Sequence, residues 1–140
     1  MSPNRYFSLH DANRAIGQVA PLLLVLRDLQ IKALRTKERL DLLWQQLERG
    51  DPVLDEIASL QQQLDQATRE VASVLAQVEA IGCVLRDVEM GLVDFPARAD
   101  ETELFLCWRL GEAQVQYWHG ADEGYTGRKP ITTMPGSRLH

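Results

Sequence analysis

The sequence predicts an α+β fold: a long antiparallel two-helix hairpin, coiled-coil-like, followed by a small C-terminal antiparallel β-sheet of about four strands. Three observations predict it. Apolar residues recur at helical spacing from Ser8 to about Ile81, interrupted at "RGDPVL", residues 49–54. The pattern then changes to short runs rich in β-branched and aromatic residues. The first helical stretch is also longer than the second, which leaves apolar positions that need another partner.

The first helix starts at "SLHD", a capping-box-like signal with Asp11 where Glu is preferred. Val19, Leu26, Ala33, Leu40 and Leu47 repeat every seven residues, beside a less pure row of Ile16, Leu23, Gln30, Lys37 and Trp44. Pro21 lies inside the pattern and is expected to kink or divide the helix. Gly50 closes the helix, Asp51 caps the next, and Pro52 fits its first turn. The second helix runs to about Ile81 on Ile57, Leu64, Val71 and Val78, and ends at Gly82.

So short a connection makes the helices antiparallel. Partner numbers summing to about 101 place Leu40 near Gln61, Trp44 near Ile57 and Leu23 near Val78. The same register sets basic Arg35 and Lys32 of helix 1 beside Asp65 and Glu70 of helix 2. Helix 2 ends opposite Pro21, so residues 8–20 overhang by ~20 Å at the helical rise per residue. Leu9, Ile16 and Val19 in the overhang are expected to meet the C-terminal sheet.

Strands are read at "CVLRD", "GLVDFP", "ELFLCWRL" and "VQYWH", joined by "VEMG", "ARADE" and "GEAQ". Pro96 is expected to end its strand. The chain is read as one domain: hairpin 8–82, meander 83–119, and a loop with a disordered tail over 120–140, covering the last ten residues. Leu22, Leu29, Leu43, Leu60 and Val74 fall off the main seam. They point to a homodimer in which two hairpins form a four-helix bundle.

Composition narrows the function. The 140 residues are 45% hydrophobic and 25% charged, which is the range of globular domains. A net charge of −5 argues against nucleic-acid binding, where many phosphates must be neutralised. The most apolar run, "PLLLVL", is too short to span a bilayer, and no signal peptide is visible, so a cytoplasmic protein without membrane partners is expected. Cys83 and Cys107 sit among apolar neighbours at no metal-motif spacing and read as reduced core thiols, with a single disulfide as the alternative.

The segments "FSLHDAN", "GLVDFPAR", "LCWRLGE", "YWH" and "GYTGRKPI" occur in this order between Phe7 and Ile131. Together they resemble the bacterial proteins of domain-of-unknown-function family 2203. The resemblance implies a shared fold and a shared site. It carries over no catalytic residue and no substrate. His10 stands where the family pattern is usually acidic.

Candidate ligand-binding residues concentrate in the C-terminal half. If strand partners near the C-terminus sum to about 224, Phe105, Cys107 and Arg109 share a face with Val115, Tyr117 and His119, and Leu104, Leu106, Trp108 and Leu110 share the other with Gln116 and Trp118. Asp87 and Asp94 flank the "VEMG" turn and form a candidate carboxylate pair; the competing reading has Asp87 organise the turn and Asp94 pair with Arg109 or Arg86. Glu112 can add an oxygen, and Arg128 lies in a glycine-punctuated loop able to wrap an anion. Asp94, Cys107 and His119 are ligand types for a metal, but no diagnostic spacing joins them, so no cofactor is assigned.

Nucleophile elbow, phosphate loop, zinc-ligand pair and dinucleotide fingerprint are all missing from the sequence. The favoured function is a non-enzymatic binding protein, acting as a homo-oligomer, that recognises an unidentified protein or small molecule through the sheet and the "GYTGRKPI" loop. The alternative is a small-ligand or metal-dependent enzyme using Asp94, Cys107, Arg109, Glu112 and His119.

Overall fold

Ser8 and Asp11 set where the first helix begins. In the computed structural model, which describes residues 5–135, the Asp11 N–H donates to Ser8 Oγ at 3.0 Å and the Ser8 N–H to Asp11 Oδ2 at 3.4 Å. The two reciprocal bonds satisfy donors that a helix N-terminus leaves open. The Ser8 bonds also hold the Asp11 carboxyl below its usual range. Helix α1 then runs unbroken over Leu9–Glu48 with Pro21 inside it. The expected division does not occur. Pro21 and Gly17, whose carbonyl loses its donor, are both solvent-exposed, so water can replace the missing bond.

Gly50, at φ 90°, turns the chain after α1, and its N–H returns to Leu47 O. Helix α2 covers Leu54–Ile81, starting later than Asp51 and Pro52 suggest, and Gly82 at φ 102° ends it. Five antiparallel strands follow in sequential order: β1 (Val84–Asp87), β2 (Leu92–Ala99), β3 (Thr102–Arg109), β4 (Tyr117–Gly120) and β5 (Lys129–Pro130). The sequence reading of about four strands missed β5, two residues long and hidden in the "GRKPI" loop. Short 3-10 turns lie at Tyr125–Gly127 and Ile131–Thr133. The disordered tail expected from the sequence falls partly on residues 136–140, outside those described.

The chain divides into two compact units. One comprises residues 24–75. In it Leu40, Leu43 and Ile57 pack together with Leu47, Val53, Leu60 and Leu64, and Arg39 pairs with Glu56 at 3.0 Å. Leu29, Leu43 and Val74 are buried here. They are interior residues of the hairpin and not off the seam. On α1 the buried row beside Val19, Leu26 and Leu40 is Ala15, Leu29 and Leu43, also at multiples of seven, whereas Gln30 and Lys37 of the row read from the sequence are exposed. Trp44, assigned to the seam, is instead exposed. Neither Arg35–Asp65 nor Lys32–Glu70 forms an ion pair among the described residues. Lys32, Arg35 and Glu70 line an open polar groove with Gln62, Gln66 and Arg69.

The second unit joins the described residues up to Leu23 with those from Ala76 onward. The leading part of α1 lies in this unit with the sheet; of the three residues expected to meet it, Val19 is buried, and Leu9 and Ile16 are only partly so. Ala12, Ala15, Val19 and Leu23 are buried, and Asn13 Oδ1 accepts the Val115 N–H at 2.7 Å. Phe7 packs edge-on against Phe95 at 5.1 Å between centroids. Its N–H donates to Pro96 O at 2.7 Å.

That last bond explains a departure from expectation. Pro96 does not end its strand; β2 continues through it to Ala99, with Pro96 opposite Phe105. Beyond Asp94 the β1 side of β2 is open, because β1 pairs only as far as Val84. Pro96 directs its carbonyl to that side, so its missing N–H removes no bond from the β2–β3 ladder. Asp100, at φ 55°, turns β2 into β3.

Gly91 carries the tightest constraint. It has φ 67°, its carbonyl accepts the Leu110 N–H, and an added Cβ would collide with Leu110 Cβ. Gly91→Ala is expected to lower unfolding free energy by at least ~2 kcal/mol, combining left-handed strain with overpacking. Gly17→Ala, on an open helix face, is expected to be neutral or to stabilise by up to ~1 kcal/mol. Urea unfolding of both variants checks this, and equal effects would contradict it.

Candidate functional site

The sheet register decides which polar side chains meet. Phe105 stands opposite His119 and Cys107 opposite Tyr117, the pairing expected from the sequence. The β2–β3 ladder sets Asp94 opposite Cys107 and Pro96 opposite Phe105. Paired residues share a face, so Asp94, Cys107, Phe105, Tyr117 and His119 lie on one side of the sheet. Leu104, Leu106 and Trp108, on the other, are buried as expected for the apolar face.

Asp94 is 1% exposed and His119 2%. A carboxylate so far from water needs full hydrogen-bonding. Arg86 Nε reaches Asp94 Oδ2 at 2.8 Å, and His119 Nε2 lies 2.9 Å from Oδ1. The second imidazole nitrogen, Nδ1, faces Gly120 O at 2.9 Å. The ring also packs on Phe105 at 5.5 Å, and the Arg86 guanidinium lies 5.0 Å from that same ring. Asp94, Cys107 and His119 thereby place one donor atom each within 4.8 Å of the others.

Asp87 takes no part in this cluster. Its Oδ1 accepts the Met90 N–H at 2.9 Å, so it organises the β1–β2 turn, and the proposed carboxylate pair with Asp94 is not formed. Of the two partners suggested for Asp94, Arg86 is the one used. Arg109 is instead exposed and touches the Tyr125 hydroxyl at 3.3 Å.

A second group adjoins the first. Glu112 Oε1 accepts the Arg109 N–H and an Arg128 N–H, both at 2.6 Å. Arg128 also donates to Cys107 O at 3.3 Å and stacks over Tyr117 and Tyr125, 4.1 and 5.0 Å from their centroids. Lys129 pairs with Glu123 at 2.5 Å and lies over Trp118. Glu123 also accepts the Gly120 N–H, and the Lys129 bond holds its carboxyl below the usual range. Gly127 makes room for Glu123, since a Cβ there would come within 2.8 Å of Glu123 Cβ. The loop cations thus fold back onto the protein's own acids, which weakens the reading of an anion cradle.

Sequence reasoning left Arg86, Phe105 and Tyr125 out of the site. Arg86 was visible as a partner for Asp94. Tyr125 carried a weak signal, an aromatic between the two glycines of the loop. Phe105 was placed on the correct face, beside Cys107 and Arg109, without a role of its own.

Both cysteines are free and buried. Burial pushes the Cys107 thiol up to about 12, helped by the Asp94 carboxylate and opposed by Arg128. Burial alone raises Cys83 to about 11. Neither is a nucleophile near neutral pH.

The arrangement is that of a small helix-and-sheet protein whose sheet holds a buried, hydrogen-bonded polar cluster. Residues 5–131 match DUF2203, an uncharacterised conserved protein family, and the chain belongs to it. No curated protein and no solved structure matches the chain. Much of the motif set now has a structural use: Ser8, Asp11 and Asn13 in the helix start and its tie to Val115, Asp94 in the cluster, Glu112 and Arg128 in the second group.

A thiol reagent at about pH 8 is expected to modify neither cysteine in the native protein and both after denaturation, because only the thiolate attacks. Fast native labelling at Cys107, counted by mass spectrometry, would show that the site is open.

Proposed function

We propose that the protein is a non-enzymatic interaction protein that works as a homodimer through its hairpin unit. One observation carries the reading: α1 has a second apolar row. Leu24, Ile31, Leu34 and Leu42 are 52%, 48%, 59% and 53% exposed. At helical periodicity they fall on one face, opposite the buried Leu26, Leu29, Leu40 and Leu43.

The row is nearly symmetric about its midpoint. A two-fold interface needs such self-complementarity, because the same patch serves both copies. Two α1 helices running antiparallel would place Leu24 against Leu42 and Ile31 against Leu34. Arg27 then falls near Glu38 on the flank, an opposite charge. Each half-exposed aliphatic side chain contributes about 1 kcal/mol on burial. Association costs at least ~4 kcal/mol. The dimer is therefore expected to depend on concentration.

This keeps the homodimer expected from the sequence but moves its contact to different residues. The engaged cations of the 124–131 loop give less support to a partner surface there. Free, buried cysteines support a reducing, cytoplasmic setting, and no described helix is long and apolar enough to cross a membrane. The bacterial assignment rests on the family resemblance.

Equilibrium sedimentation at high micromolar concentration is expected to show a monomer–dimer equilibrium. Leu34→Glu should shift it to monomer without lowering the melting temperature measured in dilute solution. A wild-type chain that stays monomeric throughout would overturn the proposal.

A further inference from the structure

The contact between His119 and Asp94 raises a question of hydrogen accounting. His119 Nδ1 lies 2.9 Å from Gly120 O, and a carbonyl only accepts, so Nδ1 carries the hydrogen. A neutral ring then turns a bare lone pair at Nε2 toward Asp94 Oδ1, 2.9 Å away. An ionised carboxylate is also an acceptor. Two buried acceptors face each other only if a cation sits between them, and that cation is either a proton or a metal ion.

Three further features favour a metal-binding role. Metal-bound histidines usually donate their other ring N–H to a carbonyl or carboxylate, as Nδ1 does here. Arg86 holds Asp94 Oδ2, which orients the carboxylate and leaves Oδ1 to the cluster. Cys107 is the third donor in the 4.8 Å group. These residues come from β2, β3 and β4, so the sheet holds them without a loop motif.

We propose that Asp94, Cys107 and His119 form a binding site for a divalent ion of the zinc class. The mixed nitrogen, sulfur and oxygen set suits Zn2+ or Co2+ and does not suit Mg2+ or Ca2+. The exchange balances in charge. One divalent ion replaces two protons, the one between His119 and Asp94 and the one on the Cys107 thiol. Ligand bonds of about 2.0–2.3 Å require donors roughly 3.3–3.7 Å apart. The His119–Asp94 contact therefore opens by a few tenths of an ångström while the sulfur moves inward. Three protein donors leave a fourth position for water. The site is independent of the dimer proposed above.

Cobalt titration of the full-length, chelator-treated protein tests the site directly. One equivalent of Co2+ is expected to produce thiolate-to-cobalt absorption in the near ultraviolet and tetrahedral bands in the visible, both abolished by Zn2+. Cys83→Ser should retain both signals. Cys107→Ser should lose the thiolate band and weaken zinc binding by about tenfold or more. If that variant does not fold, native mass spectrometry of the wild-type chain decides: a one-to-one zinc adduct with a raised melting temperature supports the site. No adduct and no cobalt absorption would overturn it, as would a thiolate band that survives Cys107→Ser.

Discussion

The sheet unit depends on keeping one carboxylate satisfied away from water. Asp94 is buried, and desolvating an unpaired carboxylate would cost several kcal/mol. Its partners come from three other strands: Arg86 on β1, Cys107 on β3 and His119 on β4. A one-residue slip in any of these pairings would turn a partner to the opposite face. A polar group at the centre thus specifies register more sharply than an apolar one, which tolerates sliding. The long β2–β3 ladder, paired from Leu92 with Arg109 to Ala99 with Thr102, carries that register outward.

The hairpin unit follows different physics. Its interior is an aliphatic seam, with Leu40, Leu43 and Ile57 at its centre and Arg39–Glu56 at its edge. That pair is about half exposed, so it contributes at most ~1 kcal/mol. Helix α1 is apolar on two faces over the same turns, one buried and one exposed. A helix with a single partner needs only one such face.

Most of the architecture was legible in the sequence because it rests on local signals. The Ser8–Asp11 box, Gly50, Gly82 and the change of period after Ile81 mark the elements. The β3–β4 pairing was legible from the alternation in "ELFLCWRL". Other features were not legible because they depend on contacts distant in sequence. Pro96 reads as a strand end until Phe7 is seen taking its carbonyl. Strand β5 is two residues long and exists only as a partner for β4. The heptad on α1 has two possible companion rows, and the sequence reading took the one through Trp44, so Leu29 and Leu43 were placed outside the core.

The candidate cluster was legible by residue type and not by geometry. Cys107 and His119 could be set on one face from the β3–β4 pairing alone. Bringing Asp94 to them needs the β2–β3 register, which the Asp100 turn sets. Sequence marks that turn only as a polar stretch, with no glycine to announce the left-handed residue. Asp87 and Asp94 were legible in role: Asp87 holds its turn and Asp94 pairs with Arg86, one of the two partners the sequence offered.

A double-mutant cycle between Asp94→Ala and His119→Ala, measured by urea unfolding, tests the organising role of Asp94 most directly. Groups that satisfy each other in a buried network should show a coupling of about 2 kcal/mol or more, since removing one strands the other. Additive effects, within about 0.5 kcal/mol, would contradict that role and leave the sheet held by its apolar face alone.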